Sequence, residues 1–124
     1  MVKKEKYFLA LEAPGLPKMI NALLRQSFWI VKKEKDIWYN TVGYLLTGKK
    51  PLKPLKKARL ILTRYSSSCP DPDGLVSSFK FVIDALVFHG VLENDKYSNI
   101  SMPKYNWHKA KSKEGKISVV IKEA

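Results

Sequence analysis

Two stretches of helical apolar spacing are interleaved with four short runs of branched and aromatic residues. That alternation leaves a chain of 124 residues few choices of fold. The first stretch starts at Lys18. Ile20, Leu23, Leu24, Phe28, Ile30, Val31, Ile37, Trp38, Val42, Leu45 and Leu46 recur mostly at steps of three and four. One helix over 18–47 would be long for a domain of this size. A break near Gln26 and Ser27, with Ser27 as cap, leaves a main helix over 30–46 and Gly48 just past its end. The second stretch, 75–88, predicts a helix followed by Gly90. Strands are expected over 7–11, 59–65, 97–107 and 116–122. Pro and Gly punctuation predicts a loop over 13–17, a loop over 66–70 and a turn over 112–115. The order β-α-β-α-β-β predicts a single α+β domain spanning 1–124, a mixed sheet with helices packed on it.

The charge balance narrows the class of partner. The chain carries 23 Lys and Arg against 11 Asp and Glu, a net charge of +12. A basic body of this kind suits a polyanion, and nucleic acid is the leading reading over an acidic membrane surface. The basic residues run along the whole chain, which favours a folded basic face over a basic arm. Lys49, Lys50, Lys53, Lys56 and Lys57, punctuated by Pro51 and Pro54, read either as a stiffened solvated loop or as a phosphate-contacting arm. Cys69 is the only cysteine, so neither an internal disulfide nor a Cys-based zinc site is available. The apolar run at 7–11 is stopped by Glu12 and Pro14, too short for a signal peptide or a membrane span. A soluble intracellular protein is expected.

Against this basic background, Asp71-Pro72-Asp73-Gly74-Leu75, Lys80, Asp84 and Asp95 gather acids in one short stretch. On one continuous helix, Asp73, Ser77, Lys80 and Asp84 fall on a polar stripe, while Leu75, Phe79, Val82, Ile83 and Leu86 form an apolar face. Lys80, at the stripe's edge, is expected to be partly shielded, its amine turned to Asp73 or Asp84. The ordinary reading is structural. An Asp before a helix caps it for about 1 kcal/mol, and an exposed Asp–Lys pair four apart contributes a few tenths of a kcal/mol. However, one cap needs one Asp, and here two stand together, with Glu93-Asn94-Asp95 following the helix closely. Carboxylate ligands without Cys or paired His suit Mg²⁺ or Mn²⁺. A cation would turn a phosphate-repelling cluster into a phosphate-binding one, and Lys80 could neutralise charge on phosphoryl oxygens.

These spaced elements, Asp71-Pro72-Asp73-Gly74-Leu75, Lys80, Asp84-Ala85-Leu86, Gly90-Val91-Leu92 and Asp95, resemble the RusA-type Holliday junction resolvases of phages and prophages. The resemblance is best over 69–97. It extends more weakly to 117–123, and to Leu16, Pro17, Asn21, Trp29, Lys32, Lys33 and Trp38 near the start. It implies a homodimeric, Mg²⁺-dependent endonuclease of DNA recombination and repair that recognises four-way junctions and cuts two strands symmetrically. By that resemblance Asp71, Asp73 and Asp95 hold the metal, Lys80 is the essential lysine, and Asp84 plays a supporting role. It also implies the cytoplasm of a bacterium or a phage-infected cell. The chain departs from the family at Gly74, where Asn is usual, and at Asn94, where a paired aspartate is common.

Lys32, Lys33, Lys35, Lys53, Lys56, Lys57 and Arg64 are the expected contacts to the nucleic-acid backbone. Trp29, Trp38, Tyr39 and Tyr44 read as core or dimer contacts, with the alternative that one wedges against unpaired bases. His89 at a helix end and His108 among aromatics have no partner at ligand spacing. Ser66-Ser67-Ser68 with Cys69 lacks a nearby base. The sequence has no Gly-rich phosphate loop, so no small-molecule cofactor is expected. Two rivals to the nuclease stand: a non-catalytic nucleic-acid-binding protein of the same fold, and a basic interaction protein whose acids only cap helices.

Overall fold

Alternating burial along three strands organises the molecule. The computed structural model describes residues 6–18, 27–96, 98–101 and 103–124. β1 (Phe8–Pro14), β2 (Ala58–Ser66), β3 (Lys104–Lys109) and β4 (Lys116–Glu123) form one sheet in the order β1-β4-β2-β3. β4 pairs antiparallel with both β1 and β2, and β2 pairs parallel with β3. The registers stack cross-strand rows: Leu9, Ile121 and Leu60, then Leu11, Val119 and Leu62. All six are buried. The intervening row of Ala10, Val120 and Ile61 is exposed or half-buried, as a sheet covered on one face requires. The sheet is therefore mixed and the class α+β, as the element order predicts.

The helices cover the buried face. α1 (Phe28–Leu45) turns Trp38 and Val42 inward. It is followed by Leu46, fully buried, and Gly48 at φ 73°. Ser27 holds the N-cap position with no side-chain hydrogen bond. The expected positions Ile20, Asn21, Leu23, Leu24 and Gln26 lie outside the described residues. The expected 75–88 helix is two helices, α2 (Pro72–Ser78) and α3 (Lys80–Phe88), joined at Phe79. Two hydroxyls explain the interruption. Ser78 Oγ donates to the Leu75 carbonyl at 2.8 Å and Ser77 Oγ to that of Gly74 at 3.2 Å. These carbonyls would otherwise serve the ladder, and Phe79 N–H turns to Val76 O instead. Losing a regular helical hydrogen bond costs about 1 kcal/mol. Full burial of Phe79 against the core, worth about 1.5–3 kcal/mol, offsets it.

Two strand boundaries differ from expectation. β1 runs on through Pro14, because the pairing of Leu11–Pro14 with β4 supplies hydrogen bonds that no local signal reveals. The expected strand over 97–107 begins only at Lys104. Ile100 makes an isolated bridge to Ala58, and Tyr97 and Met102 lie outside the described residues. The Lys-rich segment 49–57 is no free arm. Leu55 is buried and bridges to Leu92, its N–H donating to Val91 O at 2.8 Å.

α1 and α3 meet at Gly43. His89, at the C-terminal cap of α3, has Nε2 2.7 Å from Tyr39 O. A carbonyl only accepts, so Nε2 carries the proton. A Cβ at Gly43 would lie 2.6 Å from His89 Cε1 and 2.8 Å from Nε2. Gly43→Ala would gain about 1 kcal/mol of helix propensity, but overpacking of about 1–3 kcal/mol opposes it, and the ring cannot move without leaving Tyr39 O. A net loss of about 1 kcal/mol is expected in urea unfolding. A gain in stability would show the interhelical contact to be loose.

Candidate functional site

α2, the start of α3 and the loop after Leu92 converge on an open hollow of about 420 Å³. Ser77, Lys80, Asp84 and Asp95 supply its polar wall, and Val76, Ile83 and Tyr105 are among its apolar lining. Lys80 Nζ lies 3.5 Å from Asp84 Oδ2. The pair contributes little to folding. It is exposed, it runs Lys before Asp, the weaker orientation on a helix, and Lys80 is the first residue of α3, where the dipole disfavours a cation. Lys80 turns to Asp84 as expected, with its side chain 57% exposed.

α1 packs against α3 through Tyr39 and Phe88. The Tyr39 phenol is pushed above its usual pKa, mainly by burial and then by the charge of Asp84, while Lys80 opposes the rise. Tyr39 therefore lies within electrostatic range of the Lys80–Asp84 pair. Lys35 Nζ is 5.1 Å from the centre of its ring, and Phe88 packs on it at 5.0 Å. The sequence offered no sign of this, because Tyr39 and Asp84 meet only through the packing of α1 on α3.

The expected meeting of Asp71, Asp73 and Asp95 at one point does not occur. Asp95 lines the hollow; Asp71 and Asp73 do not. Among the described residues no three His, Cys, Asp or Glu side chains group to hold a metal ion. Asp71 is the N-cap of α2, with Oδ1 accepting from Gly74 N at 2.7 Å and Pro72 following it. Asp73 is exposed in the first turn. Of the stripe expected of an unbroken helix, Ser77, Lys80 and Asp84 line the hollow together, and Asp73 does not.

The expected backbone-contacting cations also divide. Lys32, Lys33, Lys35, Lys53, Lys56 and Lys57 are exposed. Arg64 is corrected: it is 8% exposed and occupies the row of Ala13 and Ile117, facing the helices. Its Nη1 donates to Pro17 O at 2.8 Å, and burial lowers its pKa. Buried Glu34, which the sequence reading passed over, answers from α1. Its Oε1 accepts from Lys18 N and Trp38 Nε1, each at 3.0 Å. The Pro17–Lys18 segment is thus clamped between sheet and helix. Of the aromatics, Trp38 is buried and Tyr39 half-buried, while Trp29 and Tyr44 are exposed.

Comparison with protein-family models and with curated proteins finds no significant match. Among the described residues no helix is long and apolar enough to cross a membrane.

Asp71 offers a clean separation of roles. Asp71→Ala should lower stability by about 1 kcal/mol, and Asp71→Asn, an equally good cap, by only a few tenths. Equal urea midpoints for Asp71→Ala and the parent would show that the cap is not structural.

Proposed function

We propose that the chain is a divalent-metal-dependent endonuclease of branched DNA, acting on four-way junctions as a homodimer, as its resemblance to the RusA-type resolvases implies. One observation carries this reading. In a chain of net charge +12, an exposed lysine and two carboxylates from separate segments, Asp84 and Asp95, line the same open hollow. A basic surface gathers phosphates, and a lysine at the rim can neutralise developing phosphoryl charge.

The donor chemistry fits a hard cation, although the carboxylates as placed do not form a set of three. Mg²⁺ commonly takes one or two protein carboxylates and completes its shell with water and phosphate oxygens. Asp95 would hold it at the hollow, while Asp73 and Asp71, the further oxygen donors that the resemblance implies, stand outside the hollow's lining. Asp71 keeps free acceptor capacity beyond its cap. A bound Mg²⁺ or Mn²⁺ would supply an acidified water and polarise the phosphate. Two copies related by a two-fold axis would match the symmetry of a four-way junction. A non-catalytic nucleic-acid-binding role is the reading that remains if hydrolysis fails.

The deciding experiment incubates the protein with a synthetic four-way junction in Mg²⁺ or in EDTA, beside Asp95→Asn, Asp73→Asn and Lys80→Ala. Cutting that requires Mg²⁺ and falls roughly 10²-fold or more in each variant, with EDTA-phase binding retained by the two Asn variants, is expected. Binding without cutting by the parent protein would leave only the non-catalytic role. No binding at all would remove both. Separately, Lys57→Ala should flatten the salt dependence of junction affinity by about one phosphate contact, and an unchanged slope would take Lys57 out of the footprint.

A further inference from the structure

We propose that the stripe Phe28, Trp29, Lys32, Lys35 and Tyr39 on α1 is a guide for unpaired nucleotides, with Trp29 as a stacking platform for a base and Tyr39 at the end that packs on α3. The inference rests on the nucleic-acid reading above and deepens it by naming the strand feature that is recognised.

The spacing comes first. Phe28, Lys32, Lys35 and Tyr39 follow one another at steps of four, three and four, so they share a side of α1. That side adjoins α3: Tyr39 packs on Phe88, and its phenol feels the charges of Asp84 and Lys80. Trp29 and Tyr39 are ten positions apart, so about 15 Å of helix separates the exposed aromatic end from the end that packs on α3. A stacked strand advances about 3.4 Å per nucleotide, which places roughly four nucleotides along that distance.

The chemistry comes second. Trp29 is 71% exposed and Phe28 72%, a combination that soluble surfaces rarely display without use. The two rings meet edge to face at 5.6 Å, which leaves large aromatic faces open. Lys32 Nζ stands 5.8 Å from the Trp29 ring centre, and Lys35 stands over Tyr39. Alternating aromatic faces and ammonium groups match alternating bases and phosphates. An apolar protein partner would instead meet the charges of Lys32 and Lys35 and have to desolvate them. Paired DNA buries its base faces within the stack, so an exposed indole has its complement only in unpaired bases.

The test is a binding titration in EDTA, so that cleavage plays no part. The probe is a fluorescein-labelled oligothymidylate of about 12 nucleotides, with a fully paired duplex of equal length as control. The parent protein should bind the single strand with quenching of tryptophan emission. Trp29→Ala should weaken that binding about 5- to 100-fold and change duplex binding less than about twofold. Trp29→Phe should keep affinity within about threefold, because a face remains for stacking, yet lose most of the quench, since Trp38 is buried and Trp107 is held by Ser66. Lys35→Ala should reduce the salt slope by about 0.7. Failure of the parent to bind the oligothymidylate, equal affinity of Trp29→Ala and the parent, or equal losses on single strand and duplex would each overturn the proposal. A protein that binds through Trp29 but never cuts a junction removes the nuclease reading and leaves this one. Cutting that is indifferent to Trp29 does the reverse.

Discussion

The cross-strand rows on the covered face of the sheet hold everything else in place. Leu9, Ile121 and Leu60, and beside them Leu11, Val119 and Leu62, are set opposite one another by the antiparallel registers of β4 with its two neighbours. A slip of one residue would turn each of these side chains to the open face and leave α1 and α3 nothing to cover. Because β4 follows the other three strands in sequence and lies between β1 and β2, the sheet cannot be completed until residues 116–123 are in place. The hollow inherits its shape from this arrangement. Tyr105 reaches it from β3, paired in register with Leu62, and Phe79 packs near Tyr105, with ring centres 6.0 Å apart, to anchor the junction of α2 and α3.

The third row shows how the same scaffold admits charge. Arg64 takes a position beside Ala13 and Ile117 that its neighbours fill with apolar groups. Burying a guanidinium is costly unless its donors are occupied; the Pro17 carbonyl occupies Nη1, while Nε is buried without a hydrogen-bond partner among the described residues. At the next residue, the Lys18 N–H meets the buried carboxylate of Glu34. The two charged groups do not pair with each other directly. They grip the two sides of one peptide group, Pro17–Lys18, which makes that loop the link between the sheet and α1. This link fixes α1 near the end that carries Phe28 and Trp29.

The acidic residues divide along the same line between structure and chemistry. Asp71 secures the start of α2. Asp84 and Asp95 face an open hollow beside a lysine whose placement at a helix start adds nothing to folding. A group that weakens a helix and yet stands over a cavity calls for an explanation other than stability, and recognition of phosphate supplies one. Two serines mark the break between α2 and α3. Their hydroxyls draw helix carbonyls away from the ladder and turn the chain at Phe79.

Much of the fold was legible because it depends on local periods. The spacing of Trp38, Val42 and Leu46, the branched run at 59–65, the closing strand at 116–122 and the glycines at 48 and 90 each announce an element through backbone preference alone. The excess of basic residues and the nearness of Lys80 and Asp84 could likewise be read from order and charge. The burial of Arg64, the role of Glu34, the approach of Tyr39 to Asp84 and the separation of Asp73 from Lys80 could not. Each depends on which side chains meet across distant segments, and on a competition between a hydroxyl and an amide for one carbonyl. Local spacing is blind to both, because packing free energy is set by neighbours in space rather than by neighbours in sequence.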